Sequence, residues 1–199
     1  MVSERGRVST GVAVLIAVVG VAAIAGIILF VVVSGRNQPQ HFYFERRSMG
    51  QRLLAEIEEY DLVNGYPETA EEVIYLNNLL MRMFYGKIVS DTDLLYKLVG
   101  IQRQLFSSDL TTKNSHQSQW ETILDDTEEL YGNNVYLYLI DVGVVFTSNE
   151  ADMCSIPLTF TMINYETLYW NYVLKLENGQ WKIHVFNRTD STFLNILEE

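Results

Sequence analysis

The hydrophobic pattern of the chain begins with one long apolar run. Residues 11–33 read GVAVLIAVVGVAAIAGIILFVVV, without a charge, an amide or a proline. A helix of this length spans roughly 35 Å, enough to cross a hydrocarbon core of about 30 Å with some tilt. The pattern therefore predicts a short tail over residues 1–10 and a membrane anchor over residues 11–33.

Two alternatives for this run are weaker. A cleaved signal peptide has an apolar core of about 7–15 residues and a small-x-small cleavage site, whereas this run is longer and ends Val-Val-Val-Ser-Gly-Arg. A buried core helix is rarely apolar on every face for so long. Basic residues flank the run almost evenly, so the positive-inside rule does not set its orientation. The short tail favours a single-pass protein of the cell membrane with its C-terminal part outside the cytoplasm.

Helical periodicity follows the anchor. Residues 34–65 are predicted to form a juxtamembrane linker and a connecting helix. Thr69 and Glu72 have the spacing of a capping box, and the apolar stripe that they introduce stops at Gly86. Two further start signals, at residues 90–93 and 118–121, predict two more amphipathic helices.

From residue 135 the pattern changes to that of β-strands. Residues 135–146 are apolar on both faces, which predicts a strand covered on both sides, with Gly143 as a candidate bulge. Asn178-Gly179 predicts a two-residue hairpin, because both residues tolerate positive φ. The remaining strands are predicted over residues 153–164, 168–177 and 180–187.

This order predicts an α+β domain over residues 66–199, with about three helices packed on one face of a curved antiparallel sheet. Within the last strand, Trp181, Ile183 and Val185 alternate with Lys182 and His184. Trp181 is therefore expected to be buried between sheet and helices, with His184 on the opposite face.

Charge and cysteine content narrow the function. From Leu53 onward there are 23 acidic and 8 basic residues, a net charge of −15, which argues against binding to nucleic acid or to an anionic lipid surface. Cys154 is the only cysteine, so no intrachain disulfide can form, and its apolar neighbours predict a buried thiol. The three histidines lack metal-ligand spacing, and no metal or cofactor is expected.

The last strands carry a resemblance to a known family. The segment YVLKLENGQWKI at residues 172–183 resembles the closing hairpin of the nuclear transport factor 2-like, or ketosteroid-isomerase-like, cone fold. With the anchor, the segment YPETAEEV at residues 66–73 resembles uncharacterised envelope proteins of Gram-positive bacteria. The resemblance implies a cone-shaped domain; the fold serves enzymes, binding modules and assembly subunits alike.

Two functions follow from this resemblance. The first is a non-catalytic binding or assembly role in the cell envelope, with a protein or a small apolar ligand as partner; a homodimer is left open. The second is a small isomerase- or dehydratase-type enzyme, for which Asp141 and His184 are the weak catalytic candidates. The contents of the cone interior distinguish the two functions. A hollow cavity lined by Asp141 or His184 favours the enzyme, and an interior filled by aromatic rings favours binding.

Overall fold

The computed structural model describes residues 41–147 and 152–190. Helices make up the first part of this region, and each of the last four has an N-cap side chain that accepts a backbone hydrogen bond. The capping box of Thr69 and Glu72 is present, and Gly86 is the C-cap of that helix, as predicted. The helices are α1 (His41–Glu58), α2 (Ala70–Tyr85), α3 (Thr92–Leu105), α4 (Ser108–Lys113) and α5 (His116–Gly132).

Two details of the helices differ from the prediction. The six-residue helix α4 follows α3 and was not expected; Ser107 caps it by accepting a hydrogen bond from the Leu110 amide. The last helix begins at His116 because Ser115 is its N-cap, three residues before the predicted start. In both cases the sequence offers more than one serine close to the helix start, and any of them can cap a helix; Ser107 and Ser115 are the ones that do.

The second part of the region is a five-stranded antiparallel sheet. Its main path runs β1-β3-β4-β5, and β2 pairs with β3 beyond the end of β1. Asn178 (φ 52°) and Gly179 (φ 80°) form the predicted two-residue turn between β4 and β5. The strands are β1 (Tyr136–Val142), β2 (Phe146–Thr147), β3 (Met153–Ile163), β4 (Leu168–Glu177) and β5 (Gln180–Thr189). Mixed helices and antiparallel strands confirm the α+β class.

The strand predicted over residues 135–146 is wrong in two respects. It is not covered on both faces, since Leu139 and Val142 are exposed, and it is broken into β1 and β2 at the edge of the sheet. The bulge lies at Tyr138, where the pairing with β3 skips one residue, and Gly143 instead follows the end of β1. The exposed side chains of β1 lie on both of its faces, and among the described residues no further strand pairs with its outer side.

The prediction for Trp181 is also wrong: Trp181 is half-buried at the hairpin end of β5. Between Leu174 and Val173 the pairing moves from Ile183 to Val185, so His184 is the extra residue of a bulge. This extra residue takes Val185 off the face that carries Ile183. The fully enclosed tryptophan is Trp170 on β4, which is 3% exposed.

The hydrophobic core lies between the helices and one face of the sheet. Alternate residues of β3 and β4 point into it, among them Leu158, Phe160 and Leu174, and Cys154 is buried there as expected. Burial raises the pKa of the Cys154 thiol to about 11. Among the described residues, none of the helices has the length and apolar composition that crossing a membrane requires. The predicted anchor at residues 11–33 lies outside the described residues.

Candidate functional site

One edge of the sheet exposes apolar side chains to solvent. We call residues 138–144 the open edge; they comprise most of β1 and the start of its connection to β2. Tyr138 is 59% exposed and Val144 is 72% exposed, and Leu139 and Val142 are also exposed. Exposed strand edges are templates for pairing with another chain, and natural proteins usually cover or charge them. The open edge is therefore a candidate docking surface.

Asp141, one of the two sequence candidates, lies in the open edge. It is opposite Thr159 on β3, on the sheet face away from the helices, and it is exposed. Phe160, the next residue of β3, points the other way into the core. Because side chains alternate across a strand, the Asp141 carboxylate points away from the interior of the domain.

His184, the other candidate, lies at the β5 bulge against the start of α4. Its Nδ1 atom is 3.4 Å from Ser107 Oγ and 3.5 Å from Asp109 Oδ2. A serine–histidine–aspartate relay needs the serine at one ring nitrogen and the acid at the other. Here both groups meet the same nitrogen, so the three side chains do not form that relay.

Charged groups around His184 attach α4 to the hairpin. Lys175 Nζ lies 2.7 Å from Asp109 Oδ2 and 2.8 Å from Glu177 Oε1. The backbone amide and hydroxyl of Ser108 donate to the Glu177 carboxylate at 3.1 and 3.0 Å. Burial and the charge of Lys175 lower the pKa of His184, which favours the neutral form of its ring. These ion pairs and hydrogen bonds hold α4 against β4 and have a structural role.

The helix-facing side of the sheet carries a cluster of aromatic rings among aliphatic side chains. The Trp170 ring lies 6.1 Å from Phe160 and 6.2 Å from Phe186, and Tyr172 stacks on Phe186 at 5.4 Å. Burial raises the pKa of Tyr172. Neither Asp141 nor His184 is part of this aromatic cluster.

A buried carboxyl group lies between α2 and α5. Asp126 is 3% exposed, and Tyr85 Oη donates to its Oδ2 atom at 3.3 Å. Burial raises the pKa of Asp126 to about 7; the Tyr85 hydrogen bond opposes this rise, and the charges of Glu129 and Asp125 add to it. Asp126 was not among the candidate residues predicted from the sequence. Its spacing from Ile123 and Leu130, three and four positions away, places it in the apolar stripe of α5 and was the available signal.

Three buried amides form a second polar feature among the helices. Gln102 Nε2 donates to Asn77 Oδ1 at 2.9 Å, and Gln119 Nε2 donates to Gln102 Oε1 at 2.8 Å. Arg103 ends the chain of bonds by donating to Gln119 Oε1 at 3.1 Å. This network joins α2, α3 and α5, and it fixes their register because each buried amide would otherwise lose a partner. Among the described residues, no cluster of histidine, cysteine and carboxylate side chains is arranged to hold a metal ion.

The fold and this surface define an α+β domain with an apolar sheet edge that no further strand of the described residues covers. The chain belongs to the family described as "Domain of unknown function (DUF6715)", whose model matches residues 2–186. The match includes both the apolar run at residues 11–33 and most of the α+β domain.

Other comparisons add little. No curated protein matches the chain. Among solved structures, the intermembrane space region of the chloroplast protein ARC6 is similar with a TM-score of 0.36 and 13% identity, over 61% of this chain and 95% of that one. A likeness at this level says nothing about what the present chain does.

Proposed function

We propose that the chain is a membrane-anchored domain with a non-catalytic binding or assembly role in the cell envelope. Residues 11–33 are its single membrane span, and residues 66–199 lie outside the cytoplasm. The observation that carries the proposal is the aromatic cluster of Phe160, Trp170 and Phe186, which packs with buried aliphatic side chains on the helix-facing side of the sheet. We therefore place binding at the surface, where the open edge exposes apolar side chains and, among the described residues, has no further strand on its outer side.

The cone fold of the nuclear transport factor 2-like proteins remains our interpretation of this α+β domain, and the Gram-positive envelope its proposed setting. The two-residue hairpin at Asn178 and Gly179 supports it, since the closing hairpin carries the resemblance. The family match supports treating anchor and domain as one functional unit, because it starts at residue 2 and ends within β5.

A second candidate function is an isomerase- or dehydratase-type enzyme. The observation that favours it is the buried pair of Asp126 and Tyr85, because a carboxyl group with a pKa of about 7 beside a phenol suits general acid–base chemistry. Native mass spectrometry of the chain released from its own membrane tests this candidate. A small molecule that copurifies with the native chain, is lost in Asp126→Leu, and is converted to an isomer or a dehydrated product when it is returned to the wild type would favour the enzyme; a molecule that is bound but returned unchanged would favour the binding role.

The anchor and its orientation are tested by cysteine labelling in intact cells, with Cys154→Ala as background. Ser3→Cys and Asp190→Cys place one thiol on either side of the anchor. A membrane-impermeant maleimide should label position 190 and spare position 3 until the cells are opened. Labelling of position 3 alone would reverse the orientation, and labelling of both in intact cells would argue against a membrane span.

The binding role is tested by photocrosslinking in the same cells. A benzophenone amino acid at position 144 of the open edge should give a discrete crosslinked species. Position 63 is the matched control, because Val63 is also an exposed valine (85%) but lies in the loop after α1. Equal crosslinking at both positions, or none at position 144, would remove the support for a docking role.

A further inference from the structure

The two edges of the sheet differ in whether another segment of the described chain contacts them. At the β5 edge, Phe106 forms a parallel bridge with Ile183, and the Ser107 amide donates to the Ile183 carbonyl at 2.8 Å. Lys182 Nζ also donates to the Gln104 carbonyl at 2.7 Å, so the α3–α4 connection covers this edge. On the outer side of β1, the sheet has no further strand among the described residues.

The backbone of the open edge can be oriented from one hydrogen bond. The Gly143 amide donates to the Pro157 carbonyl at 2.8 Å, so the backbone groups of Gly143 point toward β3. Residues of an antiparallel strand alternate between bonding to one side and to the other. The N–H and C=O groups of Ile140 and Val142 therefore point outward, away from β3, where an added strand would bond to them.

The side chains of the open edge determine which residue types would suit a partner strand that pairs with β1. Leu139 and Asp141 lie on the face away from the helices, opposite Thr161 and Thr159, while Ile140 and Val142 lie on the helix-facing side. A partner strand would meet two apolar side chains on one face. On the other face it would meet one apolar side chain and one carboxylate.

The charge of this edge selects between partners. Asp141 is the only charged residue between positions 135 and 147, and no described residue forms an ion pair with it. A second copy of the chain would bring a domain of the same strongly negative charge, −15 from Leu53 onward, against this edge. A basic partner is attracted by both the local carboxylate and the overall field.

We propose that the open edge binds an extended segment of another protein, which pairs with β1 as an added strand, fills the space beside Ile140 and Val142 with apolar side chains, and places a lysine or arginine beside Asp141. This proposal rests on the binding role proposed above and specifies the chemistry of the partner. Strand addition supplies affinity through the backbone and specificity through alternate side chains.

The test uses the full chain in lipid nanodiscs and two fluorescein-labelled peptides. The first is Ser-Thr-Val-Lys-Val-Val-Thr-Ser, and the second has glutamate in place of lysine. Fluorescence anisotropy should show tighter binding of the lysine peptide, by about fivefold or more at 50 mM salt. The difference should narrow at about 1 M salt, where the screening length falls to about 3 Å.

Three variants locate the binding. Val142→Pro removes an outward N–H and should abolish peptide binding, while Val142→Thr keeps that N–H and should bind as the wild type does. Asp141→Lys should invert the preference and favour the glutamate peptide. This charge reversal keeps the proposal testable if Val142→Pro lowers the melting temperature too far for a binding measurement.

Several results would overturn the proposal: equal affinity of the two peptides, no binding of either, or unchanged binding by Val142→Pro. Sedimentation showing a dimer that Val142→Pro dissociates would assign the edge to a second copy instead. These failures are separate from failure of the binding role. A position-specific crosslink at residue 144 in cells, without peptide discrimination, would leave the docking surface in place and reject only the basic strand.

Discussion

Gly143 lies directly on the ring of Pro157. A Cβ atom at position 143 would be 2.7 Å from Pro157 Cγ and 3.2 Å from the Pro157 carbonyl oxygen, both too close for an ordinary contact. The Gly143 amide donates to that same carbonyl, but proline has no N–H to return the bond. The strand pairing therefore loses a hydrogen bond at this point, which accounts for the break between β1 and β2.

Gly143→Ala should destabilise the domain, because the new methyl group must displace the Pro157 ring or the strand backbone. We expect a loss of about 1–3 kcal/mol, as for other overpacked sites, measured by thermal or urea unfolding of the full chain in detergent. Gly132→Ala at the end of α5 is the matched control, since no heavy atom lies within 4 Å of a Cβ there. Equal stability of the two variants would show that the strand can shift without cost.

The helix caps, the hairpin and the α+β class were predictable because each depends on a few adjacent residues. The capping box depends only on Thr69 and Glu72, and the hairpin turn depends only on Asn178 and Gly179. The position of β1 was not predictable in this way. The apolar pattern of residues 135–146 predicts coverage of both faces of the strand, but it does not show how many strands pair with it. The order of strands in the sheet, which places β1 at an edge, depends on residues distant in sequence.

The bulge at His184 and the buried polar groups are two further features that were not predicted from the sequence. One extra residue in β5 reverses the face of Val185, and nothing in an alternating pattern marks where it is inserted. Asn77, Gln102 and Asp126 lie at helical spacing within apolar stripes, so a stricter search of the stripes for polar members would have found them. The same search gives no reason to single out Asp141, which was chosen for its apolar neighbours and is exposed.

Gln102→Leu should destabilise the helical layer more than a similar change on its surface. The substitution leaves Asn77 Oδ1 and Gln119 Nε2 without the partner they have now, and each unpaired buried group costs about 1–3 kcal/mol. Gln104→Leu is the control, because the Gln104 side chain is exposed two residues away. Urea unfolding should separate the two variants; a neutral Gln102→Leu would mean that water replaces the lost bonds.

Trp170→Ala should cost about 3–5 kcal/mol, as expected for removing an enclosed aromatic side chain. Its ring contacts Phe160 and Phe186 in the core, whereas Trp181 is half-buried near the hairpin turn. Trp181→Ala should therefore be clearly milder. Melting temperatures of the two variants give the comparison, and a larger loss for Trp181→Ala would contradict the burial described for β5.

Asp126 should make the free energy of unfolding depend on pH. Asp126 has a pKa of about 7 in the folded protein because of burial, compared with about 3.9 in an unfolded chain. A carboxyl group whose folded pKa is raised opposes folding once the unfolded state ionises. Below pH 4 both states are protonated and there is no penalty. Between pH 4 and 7 the penalty grows by at most about 1.4 kcal/mol per pH unit, and above pH 7 it is constant.

Asp126→Asn should remove this pH dependence, because an amide of the same shape accepts the Tyr85 hydrogen bond without ionising. The variant should be more stable than the wild type at pH 8 and close to it at pH 4, by urea unfolding of the full chain in detergent at both values. Asp125→Asn is the matched control, since Asp125 is exposed on the same helix. It should raise stability at pH 8 far less, through the weak charge effect that Asp125 exerts on Asp126. If Asp126→Asn instead lowers stability at pH 8, the carboxylate must be ionised and compensated in the folded protein, and the pair with Tyr85 would stabilise the contact between α2 and α5 as a charged group.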